Sequence, residues 1–182
     1  MFLRMPDLGR AFRRFGRVRD GAVAIEFGIV AVPFFLLTFG LVEISMIGFT
    51  QTSLDFAVAE TARRIRTGET QGLGKSYAQI QADVCSQINN FLVLTCNNNL
   101  YLDVDRYASF TDAAAGQANP IQNGQLQTGG FGYTPPVASD IVVVRAYYTW
   151  HVMTPLFQPI FQNTSSGDRV LVSTMMFRDE PF

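Results

Sequence analysis

From Ala22 to Phe49 the chain runs 28 residues with only two charged side chains, Glu26 and Glu43. No ordinary loop or strand is this long and this apolar. A helix crosses the hydrocarbon of a bilayer with roughly 20 apolar residues. Sixteen uncharged residues, Phe27 to Val42, separate the two acids. With Glu26 at the inner interface, Glu43 stands about 25 Å away at 1.5 Å per residue. Each carboxylate then lies near one face of the bilayer. That placement avoids the roughly 2.5–3.5 kcal/mol that insertion scales assign to a charge at mid-bilayer.

The charge distribution orients the segment. Residues 1–21 carry six arginines (Arg4, Arg10, Arg13, Arg14, Arg17 and Arg19) against Asp7 and Asp20, a net of +4. Residues 22–182 carry eight basic against thirteen acidic side chains, a net of −5. A basic head before an apolar run places the N-terminus in the cytoplasm and exports the remainder. The adjoining apolar run explains the arginines more simply than a nucleic-acid arm does. A cleaved secretory signal has a shorter apolar core and a small-residue cleavage site. Here the run continues straight into more helix, which favours a stable anchor.

Three segments follow from this reading: a basic leader over 1–21, a long helix over 22–68 that spans the membrane in its first half, and an exported domain over 69–182. The second half of the helix shows a partial stripe, Ile47, Leu54, Val58 and Ile65. Arg63, Arg64 and Arg66 lie near its C-terminal end, where cations suit the helix dipole, and Gly68 is a stop. Pro33 lies inside it and predicts a kink, which membrane helices tolerate.

Ser76 to Leu94 reads as a second helix, with Ile80, Val84, Ile88 and Phe91 at helical spacing, ending in Asn97-Asn98-Asn99. Leu100–Val104, Ile141–Val152 and Arg169–Phe177 read as strands from their alternation and their β-branched and aromatic content. Thr111–Asp140 reads as one long loop. Thr154–Asp168 reads as a connection holding an apolar patch, Leu156, Phe157, Ile160 and Phe161. The expected architecture is α+β: the long N-terminal helix, a second helix and a small antiparallel sheet with helices on one face.

Cys85 and Cys96 are the two cysteines. An exported compartment permits a disulfide between them, buried free thiols and intermolecular pairing being the alternatives. A pair of cysteines with one distant histidine, His151, makes no zinc site. His151 reads as a packed or edge residue of its strand. Asp103 and Asp105 face one side of a strand but are too few for calcium. No nucleophile elbow, His-Glu-x-x-His or Walker loop is present. No enzyme chemistry, cofactor or metal is expected.

The block Gly21-Ala22-Val23-Ala24-Ile25-Glu26-Phe27, followed by Pro33 and Glu43, resembles the TadE-like minor pilins, or pseudopilins, of the tight-adherence (Flp) pilus system. Ala62-Arg63-Arg64-Ile65-Arg66-Thr67-Gly68 and the closing Phe177-Arg178-Asp179-Glu180-Pro181-Phe182 add to the likeness, and TadF-like proteins share much of the layout. The resemblance implies cleavage between Gly21 and Ala22 by a prepilin peptidase, an intramembrane aspartyl protease. Glu26 would then pair with the new α-ammonium of a neighbouring subunit, since such a pair is strong in low dielectric. Phe27 stands where many such pilins carry tyrosine, and Ala22 where many type IV pilins carry a methylated phenylalanine. Gly16 fits poorly as the cut site, because Gly21 rather than an acid follows it by five residues.

Glu43 marks the outer interface or pairs with an arginine of a partner helix. The implied partners are the peptidase, other pseudopilins or pilin subunits, the inner-membrane assembly platform and membrane lipid, and no nucleic acid. The implied location is the bacterial inner membrane, single pass, with the head in the periplasm or on the extracellular pilus. A membrane-anchored or pilus-tip adhesion module is the alternative, with Thr111–Asp140 and Leu156–Phe161 as its contact surfaces.

Overall fold

A computed structural model describes residues 20–89, 96, 98–116 and 119–181. The leader arginines, Gly16, residues 90–95 of the expected second helix, Asn97 and Phe182 lie outside the described residues. The chain is α+β. It divides into two compact units, one ending at Val42 and the other beginning at Glu43.

Helix α1, Asp20–Arg66, runs 47 residues and carries Pro33 in its interior. It ends where Gly68 adopts a φ of +73°, a left-handed conformation that glycine reaches without steric penalty. In the first unit nearly every side chain of α1 is exposed: Ile25, Phe27, Ile29, Leu37 and Leu41 are all more than 60% accessible. In the second unit the same helix buries one stripe, Leu54, Ala57, Val58, Ala62 and Ile65. These residues recur at three- and four-residue steps and so share one helical face. Hydroxyls in the run bond back to the preceding turn, as Thr50 does to the Met46 carbonyl at 2.8 Å and Thr61 to that of Ala57 at 2.9 Å. The polar residues that follow the apolar run are thereby satisfied within the helix.

After the short helix α2, Glu69–Gly72, helix α3 spans Tyr77–Asn89 and buries Ile80, Val84 and Ile88. Cys85 on α3 is bonded to Cys96, with their Cα atoms 5.9 Å apart. The sheet is antiparallel in the order β1-β4-β5, with β1 Leu100–Tyr107, β4 Ile141–His151 and β5 Asp168–Arg178. Strand β1 is longer than the sequence suggests, because Asp105 to Tyr107 continue the pairing opposite Val143 to Ile141.

Register fixes the two faces. Leu100, Leu102 and Val104 stand opposite Tyr148, Ala146 and Val144 of β4, which in turn face Leu171, Ser173 and Met175 of β5. This face joins the α1 stripe and α3 in one core. Burying the thirteen Leu, Ile and Val side chains of this core is the main stabilising term, at about 1.5–3 kcal/mol each. Side chains of α3 also cover the outer edge of β1. Gln81 Nε2 donates to the Leu100 carbonyl at 2.6 Å, and the Tyr77 hydroxyl lies 3.2–3.3 Å from the Leu102 backbone. Val104 exchanges backbone hydrogen bonds with Gly132 and Thr134. The edge is thereby closed to unplanned strand pairing.

The second face corrects the expectation of a sheet covered on one side only. Residues 108–140 are not one irregular loop. They hold helix α4, Phe110–Ala115, and a hairpin of β2, Ile121–Gln122, with β3, Gln125–Leu126. The hairpin turns on Asn123 and Gly124, with φ of +53° and +72°, the pair of positive angles that a two-residue type I′ turn requires. Helix α4 is capped by Ser109, whose hydroxyl accepts from the Asp112 amide at 3.1 Å. It packs Ala113 onto Ile141 and Val143. Phe131 stacks on Tyr147 at 4.6 Å with the rings nearly parallel. Strand β4 is therefore buried on both sides, the reason its sequence is almost continuously apolar.

Candidate assembly helix and its anchoring carboxylate

The sequence singles out two acids of α1, and the structure gives them opposite surroundings. Glu26 lies in the first unit, exposed, between Ile25 at 65% and Phe27 at 69% accessibility. No hydrogen bond or ion pair joins it to any described residue. Gly21, Ala22 and Pro33 are likewise exposed on the helix. Among the described residues α1 is the one helix long and apolar enough to cross a membrane, with a mean hydropathy of 2.2 over its most apolar window. Pro33 has no amide hydrogen and so leaves the Ile29 carbonyl without that helical bond. One turn further on, the Thr38 hydroxyl donates to the Phe34 carbonyl at 2.9 Å. Phe34, Phe35 and Phe39 form a ring ladder, with centroids 5.5 and 6.1 Å apart. The surface offered here is apolar, with a single carboxylate near its N-terminal end.

Glu43 lies in the second unit at 1% accessibility. One carboxylate oxygen accepts from Trp150 Nε1 at 3.0 Å and from the Met153 amide at 3.2 Å. The other accepts from the Thr154 amide at 3.2 Å and the Thr154 hydroxyl at 3.1 Å. Four donors to one carboxylate replace the water it has lost, which is what makes a buried acid tolerable. The end of β4 and the turn after it are thus tied to α1. Glu43 spends its hydrogen-bonding capacity inside its own domain, on partners more than 100 residues away in sequence.

The basic end of α1 is also internally satisfied. Arg63 and Arg64 both bond Glu60, at 2.8–2.9 Å and 3.0 Å. These two guanidinium groups pull the Glu60 carboxyl down to about 2. Arg66 pairs with Glu180 at 3.3 Å, while the Glu180 amide donates to the Arg66 carbonyl at 3.2 Å. Gln71 bridges the Ile65 carbonyl and the Asp179 carboxylate at 3.1 and 3.4 Å. The segments Ala62–Gly68 and Phe177–Glu180, far apart in sequence, therefore meet at one corner of the domain.

Two residues singled out in the sequence, Asp103 and His151, gain partners that the sequence does not indicate. Arg145 Nη1 lies 3.3 Å from Asp103 Oδ2 across the β1–β4 pair, and both side chains are about nine-tenths buried. Burial first, and then Asp105, push the Asp103 carboxyl up, while Arg145 opposes them. Asp103 thus belongs to a buried ion pair, with Asp105 as a like charge nearby. Among the described residues no group of three or more His, Cys, Asp or Glu side chains comes together as a metal site. His151 ends β4 with its side chain 73% exposed and its Nδ1 2.7 Å from Asp168 of β5. The direct β4–β5 register places those two residues opposite each other.

Comparison with known proteins adds one match. No curated protein and no solved structure matches the chain. The family model described as TadE-like protein matches residues 21–63, a span that starts at Gly21, takes in Glu26, Pro33 and Glu43, and ends in the basic turn at Arg63. Over its N-terminal helix, from the exposed apolar part into the part that anchors the sheet domain, the chain is similar to the TadE-like family.

Proposed function

We propose that the protein is a minor pilin, or pseudopilin, of a tight-adherence pilus. It is inserted in the inner membrane with its N-terminus in the cytoplasm and its α+β domain in the periplasm. A prepilin peptidase cuts between Gly21 and Ala22, so that Ala22 becomes the first residue. Residues 22–42 then serve as the assembly helix, either within the pilus bundle or beside another pilin subunit on the assembly platform.

The observation that carries this reading is Glu26: an exposed carboxylate with no partner among the described residues, five residues beyond Gly21, on a stretch of helix otherwise apolar all round, within the TadE-like match. A lipid-facing anchor gains nothing from a charge there. An α-ammonium on a neighbouring helix supplies the missing partner, and in a low-dielectric bundle the pair is strongly attractive. Ile44, Phe49 and Phe56, exposed at 53%, 47% and 58%, extend the apolar contact surface beyond the membrane segment. Glu43 and Pro33 would support assembly indirectly, Glu43 by holding its own domain in one register on α1.

The test is the mature N-terminus in cells with and without the peptidase. A chain beginning at Ala22 only when the peptidase is present supports the reading, and Glu26→Ala is then expected to abolish piliation while leaving cleavage intact. A chain that keeps Met1 in both strains, or one that begins beyond α1, overturns it.

A further inference from the structure

The turn that Glu43 holds is itself unusual. Met153, Leu156 and Ile160 are 56%, 62% and 69% exposed, Met153 in the bend after β4 and the other two on an ordered segment made of a 3₁₀ turn, Pro155–Phe157, and the short helix α5, Gln158–Phe161. Phe157 and Phe161 face the other way, with ring centroids 5.8 Å apart, and Phe161 packs against the core. The segment is thus a small amphipathic element, its inner side anchored and its outer side aliphatic.

Its place along the chain is fixed by covalent and hydrogen bonds. Glu43 follows directly on Val42, the last residue of the apolar run. The Met153 and Thr154 amides both bond the Glu43 carboxylate at 3.2 Å. The aliphatic patch therefore begins one hydrogen bond from the residue at which the chain leaves the apolar run. A surface meant for a distant receptor gains nothing from being tethered there.

The backbone suits a place of low water content as well. Pro155 and Pro159 lack amide hydrogens at the first turns, where helical donors are otherwise unpaired. Glu43 takes the Thr154 amide, and the Phe157 amide donates to the Thr154 carbonyl at 2.9 Å. Amphipathic segments with their polar groups satisfied lie in the boundary between headgroups and acyl chains.

We propose that Met153–Phe161 is a membrane-surface contact, with Met153, Leu156 and Ile160 seated in the interface of the leaflet from which α1 emerges. The lipid contact would brace the domain against the membrane before assembly, and it rests on the reading of residues 21–42 as membrane-spanning.

The test uses the full chain in vesicles of phosphatidylethanolamine and phosphatidylglycerol. Cys85 and Cys96 are tied to each other, so a nitroxide attaches at one introduced thiol: Leu156→Cys, Ile160→Cys, Leu37→Cys in the apolar run, or Leu73→Cys on the exposed surface. All four native side chains are exposed apart from what lipid covers, so the fold tolerates the labels. Accessibility to oxygen relative to a nickel chelate reports depth.

The expected result is a ratio several-fold higher at 156 and 160 than at 73, and highest at 37. A deep label at 37 with water-exposed labels at 156 and 160 overturns the proposal and leaves the spanning helix standing. Labels at 156 and 160 shielded from both reagents mean that protein covers the patch, which also overturns it. A label at 37 that is not deep removes the spanning reading, and the proposal with it.

Discussion

Leu37 and Leu54 are the same residue on the same helix, 70% exposed in one case and fully buried in the other. The comparison extends to their whole halves of α1. Residues 21–42 are apolar on every side and cover no core of their own. Residues 43–66 bury one apolar stripe against the sheet, and their other faces mix Thr, Gln, Glu and Arg with the exposed Ile44, Phe49 and Phe56. A helix apolar all round needs an apolar solvent or other helices, whereas a striped one needs a single packing partner. The two acids follow the same division. Glu26 has no described partner, and Glu43 has four donors. One helix thus has two characters, an exposed apolar stretch and the wall of a folded domain.

Mutations that treat both halves alike are the sharpest way to break that comparison. Glu43→Ala removes the acceptor for Trp150 Nε1 and the amides of Met153 and Thr154. At about 1–3 kcal/mol for each buried donor left unpaired, less what entering water restores, a loss of about 3–4 kcal/mol is expected. Thermal unfolding followed by Trp150 fluorescence measures it. The paired change Glu26→Ala is expected to leave that transition in place.

Leu54→Ala opens a cavity in the core and is expected to cost about 3 kcal/mol, within the usual range of 2–5 for a buried leucine. Leu37→Ala is expected to shift the unfolding of the domain by less than about 0.5 kcal/mol, as exposed substitutions do. Equal effects in the two denaturant melts would refute the division of α1.

Cys85 and Cys96 are 11 residues apart. Closing so short a loop restricts the unfolded chain by about 2–3 kcal/mol. Cys85→Ser with Cys96→Ser is expected to lower stability by that amount and to make it indifferent to reductant, as paired melts with and without dithiothreitol would show.

The smallest effect is a gain. Asp179 is 3% exposed and one of its oxygens is buried without a partner. Burial, then Asp140 and Glu180, raise its carboxyl from 3.8 to about 6. Because the folded value is the higher one, the folded state favours the protonated acid. That contribution is fully present below pH 3.8 and is lost as pH rises through about 6. Asp179→Asn is therefore expected to stabilise the domain above pH 6 by about 1–2 kcal/mol and to change it little below pH 4. A gain of the same size at both pH values would show that charge is not the cause.

Local pattern made much of the architecture legible. The apolar run, the stop at Gly68, helix α3 and the three long strands follow from periodicity, composition and turn residues, all properties of neighbours in sequence. Asn123-Gly124 carried a readable hairpin signal, yet the Gly-, Gln- and Pro-rich composition of residues 111–140 obscures it, because flanking strands of two residues show no alternation. Helix α4 is six residues long, too short for a 3.6-residue period to emerge. The cover on the second sheet face was readable in principle from β4, whose apolar run, broken only by Arg145 and Thr149 before His151, already implies burial on both sides.

The sequence by itself determined that the first half of α1 is long and apolar enough to fit a single-pass membrane anchor, since the run holds sixteen uncharged residues between Glu26 and Glu43. It determined the α+β class as well, through hydrophobic period and strand composition. Only the tertiary structure decided what the isolated charges do. Glu43 finds Trp150 and Thr154 more than 100 residues away, Asp103 finds Arg145 across 42, and Arg66 meets Glu180. A charged side chain reads locally as exposed, because burial alone would expel it. Whether it stays buried depends on donors or counter-charges that folding brings from distant parts of the chain, and no local pattern encodes them.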